Sequence, residues 1–160
     1  MTVKGNEAAS HTLGGLRDIR GGDDAGTENA AALLGRVAMS VIFILAGWGK
    51  LLAPAATQAM FASHHLPMVQ LGWILAVVVE LGGGLAILLG VLTRPVGLVL
   101  AIWCVAIALI AHTNFVDRNQ EINFLKNMAM TGGSLYVAAF GVRAWSLDAW
   151  WSRHGVAVAG

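Results

Sequence analysis

Residues Met68–Leu92 read MVQLGWILAVVVELGGGLAILLGVL. Twenty-five residues at a helical rise of ~1.5 Å each exceed the ~30 Å hydrocarbon core of a bilayer, so the stretch is long enough to cross a membrane. Its one ionisable residue, Glu80, stands near the midpoint. A carboxylate at that depth costs several kcal/mol unless it is paired, protonated or facing water. Helical spacing puts Gly72, Ala76, Gly83 and Gly84 on roughly the face of Glu80, and a second small-residue row, Gly82, Ala86 and Gly90, repeats every four residues. Small residues let neighbouring helices approach closely. The stretch is expected to be an inner helix of a membrane bundle, with its acid turned inward.

Composition agrees. The chain has 160 residues, 57% of them hydrophobic and 12% charged, with a mean hydropathy of +0.69, far from the average soluble domain. The net charge of +1 and the scattered basic residues give no footprint for nucleic acid. A single cysteine, Cys104, lies in an apolar run; this excludes an intrachain disulfide, a C-x-x-C redox pair and a cysteine-rich metal site.

Three further spans follow from the apolar runs. The first covers about residues 31–52 and carries Arg36 near one end and Lys50 near the other. Arg36, Ser40, Phe43, Gly47 and Lys50 recur at 4-3-4-3 spacing, the stripe expected to face the bundle. The connector APAATQAMFASHHLP, punctuated by Pro54 and Pro67, is apolar enough for a short helix at the membrane surface. The third span is expected over residues 95–112, after the turn Thr93-Arg94-Pro95, and the fourth over residues 123–140, with Gly132-Gly133 as a close-packing point. The expected fold is therefore all-α, an integral membrane four-helix bundle over residues 30–148.

Residues 1–29 are polar and without apolar periodicity, which reads as a disordered cytoplasmic tail. No signal-peptide h-region follows Lys4, and Arg17 and Arg20 form no twin-arginine signal. Residues 149–160, with tryptophans before and within them, suit an interfacial cytoplasmic tail. With the amino terminus inside, Lys4, Arg17, Arg20, Arg36, Arg94, Arg143 and Arg153 lie on the cytoplasmic side, and Lys50, Arg118 and Lys126 lie opposite. This bias places both termini in the cytoplasm.

On that topology polar residues converge on the outer half of the bundle: Lys50, His112, Lys126 and Asn127, with Glu80 ~18 Å of helix below the outer end of its span. Snorkelling anchors are the plainer role for Lys50 and Lys126, and a histidine reaching interfacial water is the plainer role for His112. Glu80 cannot snorkel, so it is expected to pair with Lys50 or Lys126, with Arg36 as the rival. No metal site is expected, because adjacent histidines such as His64-His65 point ~100° apart on a helix. LGGGL sits inside an apolar helix and is no phosphate cradle. No nucleophile–base pair or dinucleotide fingerprint is present, so the chain carries no self-contained catalytic motif.

Taken in order, Arg36 with FILAGWGKL (43–51), VELGGGLAILLG (79–90) followed by Thr93-Arg94, His112, FLKNMAMTGG (124–133) and SLD (146–148) resemble the DoxX family of small bacterial membrane proteins. The resemblance covers about residues 33–148. It implies a four-helix protein of the bacterial inner membrane, and some relatives are subunits of membrane oxidoreductases. The function so implied is that of a membrane subunit of a quinone-linked oxidoreductase. Glu80, Lys50, His112, Lys126 and Asn127 would line the quinone pocket, and a partner subunit would bring the electrons. Two alternatives stay open. One is a non-enzymatic binder or transporter of a small or lipidic molecule; the other is a structural membrane partner, alone or as a homo-oligomer.

Overall fold

The computed structural model describes the backbone of residues 4–141 and 145–154, and the side chains of residues 25–141 and 145–154. Among them every regular element is helical. α1 is Lys4–Leu52, α2 Pro54–Ser63, α3 Val69–Val77, α4 Gly83–Leu89, α5 Thr93–Ala111, α6 Arg118–Phe140 and α7 Leu147–Arg153. A π-turn, Val78–Gly82, joins α3 to α4 into one rod. Side chains of most of the expected tail, residues 1–29, lie outside the described set. Its backbone is helical from Lys4 and runs within α1 into the first span, with no proline to interrupt it.

Among the described residues three helical stretches are long and apolar enough to cross a membrane: Ala25–Leu52, Val69–Leu89 and Thr93–Ala111. α6, with Arg118, Glu121, Lys126 and three asparagines, is more polar than these, yet its 23 residues extend ~34 Å. It packs closely and antiparallel along α5. A Cβ at Gly97 would meet the Ser134 carbonyl at 2.8 Å, and at the far end His112 meets Gln120. α6 is thus the fourth rod, matched in depth to α5. α7, seven residues long, is no span.

The stripe read from the first span is the buried one: Arg36, Ser40, Phe43 and Gly47 are all buried. On the second rod Ala76, Glu80, Gly84 and Ile87 are buried. The core is Phe43, Ile87, Leu100 and Cys104, and large apolar side chains such as Leu45, Val78 and Ile102 are exposed on the outside, as lipid-facing residues are. Each burial of such a side chain in water would yield ~1.5–3 kcal/mol; in a bilayer that drive is absent, and close packing at small residues replaces it.

Gly47 and Gly84 set the register. A Cβ at Gly47 would stand 2.5 Å from the Leu81 nitrogen, and one at Gly84 would stand 2.9 Å from Ile44. With residue 47 opposite residue 81, Leu52 falls opposite about residue 76, so α1 stops ~10 Å short of the N-terminal end of α3. The break comes at Ala53-Pro54, where the proline starts α2. α2 continues beside the N-terminal half of α3, with Phe61 against Gly72. The surface helix expected from the connector exists, but its first turn is sunk beside the bundle because α1 is short.

At the other end the chain is tied down by Asp148. Its carboxylate accepts from the backbone N–H of Leu92 (2.9 Å) and of Thr93 (3.1 Å) and from Thr93 Oγ1 (3.1 Å), and its own N–H donates to Gly90 O at 2.9 Å. A carboxylate at a helix N-terminus satisfies orphan donors and suits the dipole. Here it also holds Leu92 at a φ of 46°.

Candidate functional site

The break in α1 and the π-turn meet at the same depth, and there the polar residues gather. Lys50, in the last turn of α1, donates from Nζ to Glu80 Oε2 at 2.5 Å. Trp103 of α5 donates from Nε1 to Glu80 Oε1 at 3.0 Å. Both carboxylate oxygens therefore have partners, supplied by two different helices. The Glu80 side chain is 4% exposed and that of Lys50 20%, so the acid is sealed and the lysine side chain is only partly covered. Short charge-assisted hydrogen bonds of this kind are the strong ones.

The surroundings follow from the sequence locally. A π-turn adds a residue to the helical turn and re-aims its side chains, and such turns are common at functional sites; Glu80 is its central residue. The end of α1 leaves carbonyls without intrahelical donors, and Trp73 Nε1 donates to Lys50 O at 2.9 Å. Trp73 thus caps the helix whose lysine holds Glu80. Neither Trp73 nor Trp103 is singled out by the sequence. A lone indole N–H inside an apolar helix carries no periodic signal; the clue was that a buried acid needs two donors and the lysine supplies one.

Of the five residues expected to cluster, Lys50 and Glu80 come together. His112, the C-cap of α5, shares a 2.8 Å hydrogen bond between Nδ1 and Gln120 Oε1. Asn127 Nδ2 donates to Asn123 O at 2.9 Å, and its own carbonyl accepts from Thr131 Oγ1 at 2.8 Å. Lys126 is exposed and forms no ion pair among the described residues. Arg36, the rival partner for Glu80, donates instead from Nη2 to Trp145 O at 2.8 Å, at the opposite end of α1. Among the described residues no group of histidine, cysteine and carboxylates is placed to hold a metal ion.

The chemistry of this site is that of an ion pair inside an apolar bundle: an acid and a base in contact, with an indole fixing the acid's second oxygen. Small helical membrane proteins with an intramembrane ion pair form the class that fold and site define. The DoxX family model matches residues 31–113. Inner membrane protein YqjF of Escherichia coli (strain K12) is 38% identical over 121 residues, spanning 76% of this chain and 92% of that protein. Inner membrane protein YphA of the same strain is 32% identical over 139 residues, spanning 83% and 99%. The chain belongs to the DoxX family and is an integral membrane protein. No solved structure matches it.

Proposed function

We propose that this protein is a membrane subunit of a quinone-linked oxidoreductase complex in the bacterial inner membrane, with the Lys50–Glu80 pair as its proton-handling group. The observation that carries the reading is the sealed carboxylate of Glu80 in contact with a lysine whose side chain is still 20% exposed. A quinone supplies two-electron chemistry coupled to proton uptake. A hydrogen-bond donor for its carbonyl and a group that holds a proton nearby are what the protein must contribute. Lys50 offers the donor, and Glu80 holds or releases the proton while Trp103 keeps its position. His112, Lys126 and Asn127 lie apart from this pair and are not needed for it. With one cysteine, Cys104, which is buried, the chain carries no dithiol, so the electrons come from a partner subunit.

A second reading is favoured by one detail: both Glu80 oxygens are already taken. A fully satisfied pair is what a structural pin needs, fixing the register of α1 against the second rod. Purification from native membranes in mild detergent separates the two. The oxidoreductase reading expects a co-purifying quinone and a flavin- or metal-bearing partner, with the quinone lost in Glu80→Gln and Lys50→Met. A homo-oligomer free of both would contradict it and leave the pin. The orientation belongs to the same proposal: both termini are cytoplasmic, and single thiols at positions 58 and 119, in a chain with Cys104→Ser, react with an impermeant reagent from outside. Labelling from the cytoplasmic side alone would reverse it.

A further inference from the structure

α1 and α6 are sequence-distant neighbours that barely touch. Close helix packing runs from α1 to the second rod, on to α5, and from α5 to α6, but the ring does not close. Between α1 and α6 lies a groove of about 640 Å³, within the ~300–1,000 Å³ usual for small-molecule sites. Its walls are Gly35 and Met39 on one side and Gly133, Tyr136 and Phe140 on the other. A Cβ at Gly133 would stand 3.2 Å from Met39 Sδ, so one thioether spans the deep end.

The groove holds one buried cation. Arg36 lines it and is 7% exposed. One of its donors serves Trp145 O, its Nε is buried without a partner, and no carboxylate pairs with it among the described residues. Asp148, brought to this end by its N–H bond to Gly90 O, is committed to the N-terminus of α5. Next to the groove, the Arg94 side chain packs over Gly141, a lining residue, with Nε 3.3 Å from where a Cβ would be. The groove also has an acid, Glu28, on its outer rim. It lies two turns, ~12 Å, beyond Arg36 and has an interaction of its own. By register, Arg36 is level with Gly90 at the end of α4, which is headgroup depth.

An uncompensated guanidinium at that depth, opening on an apolar slot, matches a phosphodiester with an acyl chain. Basic pockets between helices bind anionic head groups in this way, and a guanidinium is the side chain best suited to phosphate oxygens. We propose that the α1–α6 groove is a site for an anionic phospholipid of the leaflet on the side of the termini. Its phosphate sits on Arg36 with Arg94 next to the groove, and an acyl chain lies between Met39 and Gly133. The site is independent of the Lys50–Glu80 pair.

The test uses the full chain, delipidated in detergent, with native mass spectrometry and thermal unfolding read against added phosphatidylglycerol, diacylglycerol and inorganic phosphate. Phosphatidylglycerol binds and raises the melting temperature; diacylglycerol and inorganic phosphate do neither. Gly35→Leu, at a position with nothing within 4 Å, fills the slot without touching Arg36 and weakens phosphatidylglycerol binding at least tenfold at unchanged melting temperature of the lipid-free protein. Arg36→Gln weakens it as much, and Arg36→Lys less. Phosphatidylglycerol binding unchanged in Gly35→Leu would overturn the proposal. So would equal binding of diacylglycerol, binding of inorganic phosphate alone, or a lipid-free dimer cross-linked through position 35.

Discussion

One stripe of α1 carries a base at each end, and the two bases are treated in opposite ways. Lys50 meets the carboxylate of Glu80, whereas Arg36 meets a backbone carbonyl, Trp145 O. The surroundings explain the contrast. At the depth of Lys50 the bundle supplies an acid and a second donor, Trp103, so charge is neutralised within the chain. At the depth of Arg36 the available acid, Asp148, is already spent on the N–H groups of Leu92 and Thr93, so charge is left for something outside the chain. The Lys50–Glu80 centre is therefore neutralised within the chain, and the Arg36 end is a clasp whose cation has no carboxylate partner among the described residues.

If that contrast is right, the largest effect comes from stranding Lys50. Glu80→Leu removes one partner of a buried pair and should cost about 3–5 kcal/mol, read as a drop in thermal stability in detergent. A loss below 1 kcal/mol would place the pair in water. At the Arg36 end, Gly90→Ala should be the next most damaging change. Gly90 has a φ of +72°, and its Cβ would lie 2.4 Å from Ser146 Cβ, so about 1–3 kcal/mol is expected from strain and displacement. A neutral result would show that the 145–148 segment is not held against α4.

Trp103→Phe tests the second oxygen of Glu80. Removing one donor to a buried carboxylate should cost about 1–3 kcal/mol, less than stranding Lys50, and should lower any quinone binding with it. Lys126→Met sharpens the comparison from the other side. Lys126 is exposed and unpaired among the described residues, so unfolding should shift by no more than ~0.5 kcal/mol. A larger loss would bring α6 back into the site.

What the sequence disclosed was what repeats. The 36-40-43-47-50 stripe is periodic, and it is the buried face of α1. An acid in an apolar run of 25 residues has to be compensated, and Lys50 was among its expected partners. What it hid depends on single residues meeting across long separations. The π-turn at Val78–Gly82 has no composition of its own. The sinking of the first turn of α2 follows from where Gly47 meets Leu81, a tertiary fact. SLD (146–148) was visible as a family block, but Asp148 acts 55 and 56 residues away. Lys126 and Asn127 looked inward because they open a helix at the right depth; their face turned out to be set by the packing of α6 on α5.

The central claim is that Glu80 and Lys50 act as one unit, and a double-mutant cycle measures it directly. Glu80→Gln, Lys50→Met and the combined variant are unfolded side by side in the same detergent. The single changes should each destabilise the protein, and the pair together should cost less than their sum by at least ~1.5 kcal/mol. Additive costs, with no coupling between positions 50 and 80, would contradict the account.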